Sequence, residues 1–186
     1  ETKKNLVILT FHPETVYENF DWKEKFTTII KALDKFYYDV IVTAPGFEKN
    51  SKKNIFFIKK HLKNKKKFKF VESLGFKNYF SLLNKSKFVI GNSSSGIIEV
   101  PYFRIPTINI GERQKGRIQS KSVINCKPIK KDIAKSIKKL ISKKFKKSIE
   151  KIKNPYFKIN TENKILAIIE KKNLENLIKK PFVDHE

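Results

Sequence analysis

Short apolar runs alternate with amphipathic stretches along this chain. That alternation predicts an α/β fold, a Rossmann-like parallel sheet with helices on both faces. Two further observations support it. The runs are rich in Val, Ile and Phe and stop at turn residues such as His12-Pro13 and Pro45-Gly46. The intervening stretches repeat apolar residues every three or four positions, the period of a helix face. At 186 residues the chain is long enough to bury one sizeable core.

The elements follow in order. Residues 5–11 (NLVILTF) read as a buried strand. Residues 15–37 place Val16, Phe20, Phe26, Ile29, Ile30, Leu33 and Phe36 at helical spacing and predict a long helix. Residues 38–43 form a second strand, 50–63 a helix with a basic outer face, and 68–72 a third strand. A short helix over 79–85 leads to a fourth strand at 87–91. A helix at 94–100 and a strand at 107–110 come next, then a sixth, edge strand at 122–125. Residues 130–147 predict one basic helix with Ile133, Ile137, Leu140 and Ile141 on its apolar side. Asn154-Pro155 breaks the chain. Asn160 or Thr161 caps a final helix through about residue 180, with Ile165, Leu166, Ile169 and Leu174 inward. In such folds ligands bind beyond the carboxyl ends of the strands. His12, Pro45-Gly46, Leu74-Gly75-Phe76, residues 92–95 and residues 111–117 all follow strands at that end.

Composition narrows the function. The net charge of +24 raises the question of nucleic acid. Of 42 basic residues, however, only Arg104, Arg113 and Arg117 are arginine. Nucleic-acid sites lean on Arg and on exposed aromatics that stack on bases. Here the aromatics sit inside apolar runs. Lys, Ile, Asn and Phe also share A/T-rich codons, so the bias fits genome composition, and no nucleic-acid partner is expected. The lone Cys126 excludes an internal disulfide and fits a reducing, cytoplasmic setting. No apolar run approaches the roughly 20 residues of a membrane span, and no membrane partner is expected. Three His, one Cys and unclustered acids supply no metal set. The chain lacks Met and opens on Glu1, so it is expected to be a segment of a longer polypeptide.

The chemistry concentrates in residues 87–117. A β-branched run ends at Gly91, the small polar residues Asn92, Ser93, Ser94 and Ser95 follow, and then Gly96. A helix start behind a strand end offers backbone N–H groups to a phosphate, and small side chains allow close approach. Ser95 and Glu99 share a helix face four apart, which sets Glu99 where a ribose would lie. Arg113 and Arg117 supply planar, multi-donor groups for the same anion. Each piece has a plainer reading. A serine after a strand is often only an N-cap, worth roughly 1 kcal/mol. A single Glu is ordinarily a solvated face, and two arginines can be surface residues. Ser93 to Ser95 read as phosphate donors and not as nucleophiles.

The order and spacing of these residues resemble the hydrolysing UDP-N-acetylglucosamine 2-epimerases, especially the sialic-acid-type branch. The family pattern is Asn-Ser-Ser-x-Gly-x-x-Glu, then Pro-x-x-Asn-x-Gly-x-Arg-Gln-x-Gly-Arg. It corresponds here to Asn92 through Glu99 and Pro106 through Arg117. His12-Pro13-Glu14-Thr15 stands where the family carries His-Pro-x-Thr.

The resemblance implies the C-terminal half of a two-domain, glycosyltransferase-B-like fold, a nucleotide-binding domain over residues 1–186. Its final helix, 161–180, would pack toward an N-terminal half that bears the catalytic carboxylates. The implied reaction eliminates UDP across C1 and C2 of the sugar, and water then adds with inversion at C2. No cofactor is implied. Ser93, Ser94, Ser95, Gly96 and Arg113 would hold the UDP phosphates, with Arg117 supporting the loop. Glu99 would hold the ribose. His12, otherwise an ordinary loop histidine, would reach the diphosphate and the reacting sugar in a catalytic place. Leu74 and Phe76 would pack on the uracil, though Phe76 alone could equally be a helix staple.

In one respect the chain departs from the family, which often shows Pro-Asn-x-Asp after the second strand. Here that site reads Pro45-Gly46-Phe47-Glu48, so an Asn contact is missing. A UDP-sugar is the expected partner, and the full-length protein is expected to be a homo-oligomer. Three alternatives stay open: the same reaction on a UDP-diacetamido-trideoxyhexose, a glycosyltransferase of the same fold and, outside enzymes, a basic nucleic-acid-binding fragment. Many retaining glycosyltransferases carry two Glu residues spaced by eight. Glu99 instead has Gly91 and Thr107 at that spacing. His61 and His185 read as surface residues.

Overall fold

The computed structural model describes residues 5–14, 20–46 and 50–172. Six strands form one sheet: β1 (Leu6–Thr10), β2 (Asp39–Thr43), β3 (Phe68–Val71), β4 (Ser86–Gly91), β5 (Thr107–Ile110) and β6 (Val123–Cys126). The helices are α1 (Trp22–Leu33), α2 (Ser51–Leu62), α3 (Gly75–Lys85), α4 (Ser95–Ile98), α5 (Lys130–Ile141), α6 (Lys143–Ile149) and α7 (Thr161–Lys171). The strand order is β3-β2-β1-β4-β5-β6, and every pairing is parallel. The chain winds outward from β1 to β3, then restarts on the other side of β1 with β4. The strand order thus reverses between β1 and β4, and in such sheets ligands bind beyond the carboxyl ends at that point.

Strand periodicity explains why both faces are covered. Side chains alternate across the sheet. Val7, Leu9, Phe88, Ile90, Ile108 and Ile110 enter one core together with residues of α1, α2 and α5. Ile8 and Val89 enter the other, with Leu83 of α3, Val100 and Ile105. Each fully buried aliphatic side chain contributes roughly 1.5–3 kcal/mol. The first core also holds an aromatic cluster. Trp22 stacks on Phe26 at 5.1 Å between ring centres. Its indole N–H donates to Phe11 O at 3.0 Å.

Several boundaries differ from the sequence reading, each for a local reason. The first helix starts at Trp22, because the Asp21 carboxylate caps it by accepting from the Glu24 N–H at 3.0 Å. Phe20 and Phe36 fall outside that helix, and residues 15–19, Val16 among them, lie outside the described ones. The helix read at 79–85 begins earlier, at Gly75, whose φ of 63° is open to glycine. The helix read at 94–100 is only α4, followed by a 3₁₀ turn at Val100–Phe103. Pro101 has no N–H to continue the α ladder. The edge strand sits one residue later than expected, at Val123–Cys126.

The single helix read at 130–147 is two. Ser142 is extended (φ −64°, ψ 144°), and its hydroxyl caps α6 by accepting from the Phe145 N–H at 3.2 Å. His61 is half-buried and not a surface residue; it stacks on Phe57 at 5.4 Å. The chain divides into two units at Tyr156, and the second contains α7. None of the side chains of α7 is buried, so the inward face read for Ile165, Leu166 and Ile169 is absent. Leu174 and His185 lie outside the described residues. Among the described residues, no helix is long and apolar enough to cross a membrane.

Candidate functional site at the strand ends

The site begins with a close approach of two strands. Gly91 ends β4 at φ 133°, and a Cβ there would lie 1.8 Å from Thr10 O of β1. Only glycine lets the strands close up. The next side chain, Asn92, is fully buried. Its carboxamide exchanges two hydrogen bonds with the backbone of His12. The His12 N–H donates to Asn92 Oδ1 at 2.6 Å, and Asn92 Nδ2 donates to His12 O at 2.9 Å. The Asn92 carbonyl in turn accepts from Gln114 Nε2 at 2.7 Å and from an Arg113 guanidinium nitrogen at 3.3 Å. From β2, the Gly46 N–H donates to His12 Nδ1 at 2.9 Å. The buried Glu14 accepts from the Glu112 N–H at 3.2 Å. The ends of β1, β2, β4 and β5 are thus tied together through side chains.

The serine turn sits beside this knot. Gly96 N–H donates to Ser93 O, and Ile97 N–H to Ser94 O, at 3.1 and 3.0 Å. The Ser95 N–H reaches Ser93 Oγ at 3.4 Å. The N–H groups of Ser93 and Ser94 have no protein partner among the described residues. Gly96 is buried, and a Cβ there would meet Thr107 Cγ2 at 2.8 Å. Its place is to let α4 lie against β5, since its own N–H is already taken. With four residues, α4 is shorter than the helix expected from sequence, so its dipole is small.

Ser95 Oγ is 2.6 Å from the Tyr79 hydroxyl. Burial pushes the Tyr79 phenol above its usual pKa; the Ser95 bond opposes this, and the Glu99 charge adds to it. Glu99 Oε2 is buried without a hydrogen-bond partner. A carboxylate oxygen removed from water and unpaired is costly in a finished core. It fits a hydroxyl-bearing ligand.

Leu74 and Phe76 line a recess of about 350 Å3 with Thr43, Ala44, Ser73 and Tyr79. Phe76 is 69% exposed and leans on Phe80, 6.4 Å between ring centres. Arg117 lines a recess with Asn109, Lys115, Gln119 and Asn125. Phe47 and Glu48 lie outside the described residues, as does Thr15. Burial first, and then the Arg113 charge, lower the His12 imidazole to a pKa of about 4. It is neutral at physiological pH.

Residues 1–170 match the family model described as UDP-N-acetylglucosamine 2-epimerase. The chain belongs to that family. A curated relative from Campylobacter jejuni, GDP/UDP-N,N'-diacetylbacillosamine 2-epimerase (hydrolyzing), is 36% identical over 97% of this chain and 47% of its own. The Escherichia coli polysialic acid biosynthesis protein P7 is 33% identical over 89% of this chain and 42% of its own. The chain therefore spans less than half the length of either relative. The crystal structure of Methanocaldococcus jannaschii UDP-GlcNAc 2-epimerase in complex with UDP-GlcNAc and UDP superposes with a TM-score of 0.70. That likeness, at 21% identity over 90% of this chain and 45% of that one, is one of fold. The architecture is glycosyltransferase-B-like, as the motif resemblance implies.

In this epimerase-family chain, four residues organise the rim in ways that the sequence does not signal. Asn92 opens the serine motif as one of four small polar residues, yet its buried carboxamide and its carbonyl bridge β1, β4 and β5. Gln114 is 1% exposed despite lying between charged neighbours, so no hydropathy signal marks it. Glu14 sits in the His-Pro motif, and its pairing partner is 98 residues away. Tyr79 lies on a helix face, and its hydroxyl finds Ser95 only through the fold.

Proposed function

We propose that this chain is the nucleotide-binding, C-terminal half of a hydrolysing UDP-sugar 2-epimerase, with UDP-N-acetylglucosamine as substrate. The observation that carries this is the convergence of three groups on one rim. These are the exposed Arg113 guanidinium on Asn92 O, the open Ser93 and Ser94 amides, and the unpartnered Glu99 carboxylate. An anion with an adjoining diol suits that set. In this reading the Ser93–Gly96 turn and Arg113 hold the diphosphate, and Glu99 holds the ribose. Leu74 and Phe76 border the uracil, and Arg117 supports the loop.

The whole protein would eliminate UDP across C1 and C2, then add water to release N-acetylmannosamine. Such chemistry needs proton-transfer groups and a water-excluding wall, which the second half would supply. Helix α7 would pack toward that half. The reading extends to a cytoplasmic protein, in keeping with its lone thiol, and to a homo-oligomer at full length. A second substrate has support as well. The Campylobacter jejuni relative is named for a diacetylbacillosamine nucleotide, so a UDP-diacetamido-trideoxyhexose is the alternative. NMR of the product made by the full-length protein separates the two sugars. With UDP-N-acetylglucosamine, the 186-residue chain alone should bind and release no UDP. Robust release would overturn the division of labour between halves.

A further inference from the structure

The hydroxyl oxygens of Tyr79 and Ser95 lie 2.6 Å apart, and both ends of that contact are held in place. Tyr79 sits in the second turn of α3, and its ring packs, partly buried, against the core of Ile8, Leu83, Val89, Val100 and Ile105. Ser95 opens α4, where its carbonyl accepts from the Glu99 N–H at 3.1 Å. Two hydroxyls in one hydrogen bond share one hydrogen and leave the other over. The phenol, with an ordinary pKa near 10, is the more acidic of the two and so the stronger donor. The bond therefore runs from Tyr79 to Ser95 Oγ. Burial above all, and then the Glu99 charge, keep the phenol protonated for this. The Ser95 hydrogen is the one left over, and among the described residues no protein acceptor takes it. Glu99, one turn on, does not, since its buried Oε2 has no hydrogen-bond partner.

We infer that Tyr79 is a positioning residue for Ser95: it donates to Ser95 Oγ and so presents the serine hydrogen to an anionic oxygen of the nucleotide diphosphate. This rests on the proposed nucleotide site. A solitary serine hydroxyl turns through several directions. One already held by a fixed phenol has less freedom to lose when the ligand arrives. The Tyr79 ring also borders the recess that holds Leu74 and Phe76, so its face and its hydroxyl serve different parts of one ligand. Removing the hydroxyl while keeping the ring separates the two roles.

Titration calorimetry of the 186-residue chain with UDP and with uridine tests the inference through a double-mutant cycle. Ser95→Ala should weaken UDP about tenfold and leave uridine unchanged. Tyr79→Phe keeps the ring and should weaken UDP roughly two- to tenfold, again sparing uridine. The decisive variant carries both substitutions. Once Ser95 lacks its hydroxyl, Tyr79→Phe should add no further loss, because Tyr79 acts through Ser95. Three results would overturn the inference. Tyr79→Phe might bind UDP as the wild type does, lose uridine as much as UDP, or add its full loss to that of Ser95→Ala. The first two are read from Tyr79→Phe alone, so the test stands even if Ser95→Ala fails to fold. A wild-type chain that does not bind UDP would instead refute the nucleotide reading, and with it the acceptor for Ser95.

Discussion

Asn92 and His12 exchange two hydrogen bonds, 2.6 and 2.9 Å long, between the ends of β4 and β1. The pair sits where the strand order reverses, the place at which doubly wound sheets bind ligands. One buried amide thus sets the distance between the His12 loop and the serine turn. Replacing Asn92 by Leu would remove both of its hydrogen bonds to the His12 backbone, at roughly 1–3 kcal/mol each. Chemical denaturation should show that loss, and Asn92→Asp should recover only the bond from the His12 N–H.

Glu99→Gln should weaken UDP and uridine alike, because both carry the ribose. A hydrogen bond to a charged group is worth roughly 1.5–3 kcal/mol, or about 10- to 150-fold in affinity. Titration calorimetry reads it, with thermal unfolding as a check on the fold. Equal affinity of the variant and wild type for UDP would show that the buried carboxylate serves something else.

Arg113→Lys keeps the charge and loses the planar fork. Binding of UDP should fall roughly tenfold, while uridine binding stays unchanged. A matching loss for uridine would place Arg113 away from the phosphates.

The lowered pKa of His12 makes stability depend on pH. The unfolded ring takes up its proton near 6.5, but the folded one only near 4. Between those values the unfolded state binds more protons, so stability falls as pH drops through that window. His61, also shifted down by burial and by Lys65 and Lys31, acts in the same direction. The variant His12→Gln should flatten the fall between pH 6.5 and 5 without abolishing it. An identical slope in the variant would mean that the two states titrate His12 alike.

Much of the fold was legible because its signals are local. The strands carry β-branched runs with turn residues at their ends, and the structure contains all six. Helix ends were harder. The Asp21 cap and the Ser142 interruption depend on single side chains inside patterns that look continuous. The serine turn, Glu99 and Arg113 were visible as a motif. The knot behind them was not, since Glu14, Asn92 and Gln114 find their partners across distances of 22 to 98 residues. Polar residues buried by such pairing resemble surface residues in sequence.

Two glycines separate backbone strain from steric exclusion. At Gly75, φ is 63° and nothing lies near a built Cβ, so Gly75→Ala should cost only about 1–2 kcal/mol. At Gly91 the Cβ would strike Thr10 O, and Gly91→Ala should cost more than about 3 kcal/mol or prevent folding. Similar losses at both positions, measured in urea, would contradict the close approach of β1 and β4.

Titration calorimetry of the 186-residue chain with UDP and with uridine decides whether the carboxyl ends of β1, β4 and β5 hold a diphosphate. UDP should bind markedly tighter than uridine, and the gain should shrink as salt rises, because the contacts are ionic. Equal affinity for the two ligands would mean that no diphosphate is held there.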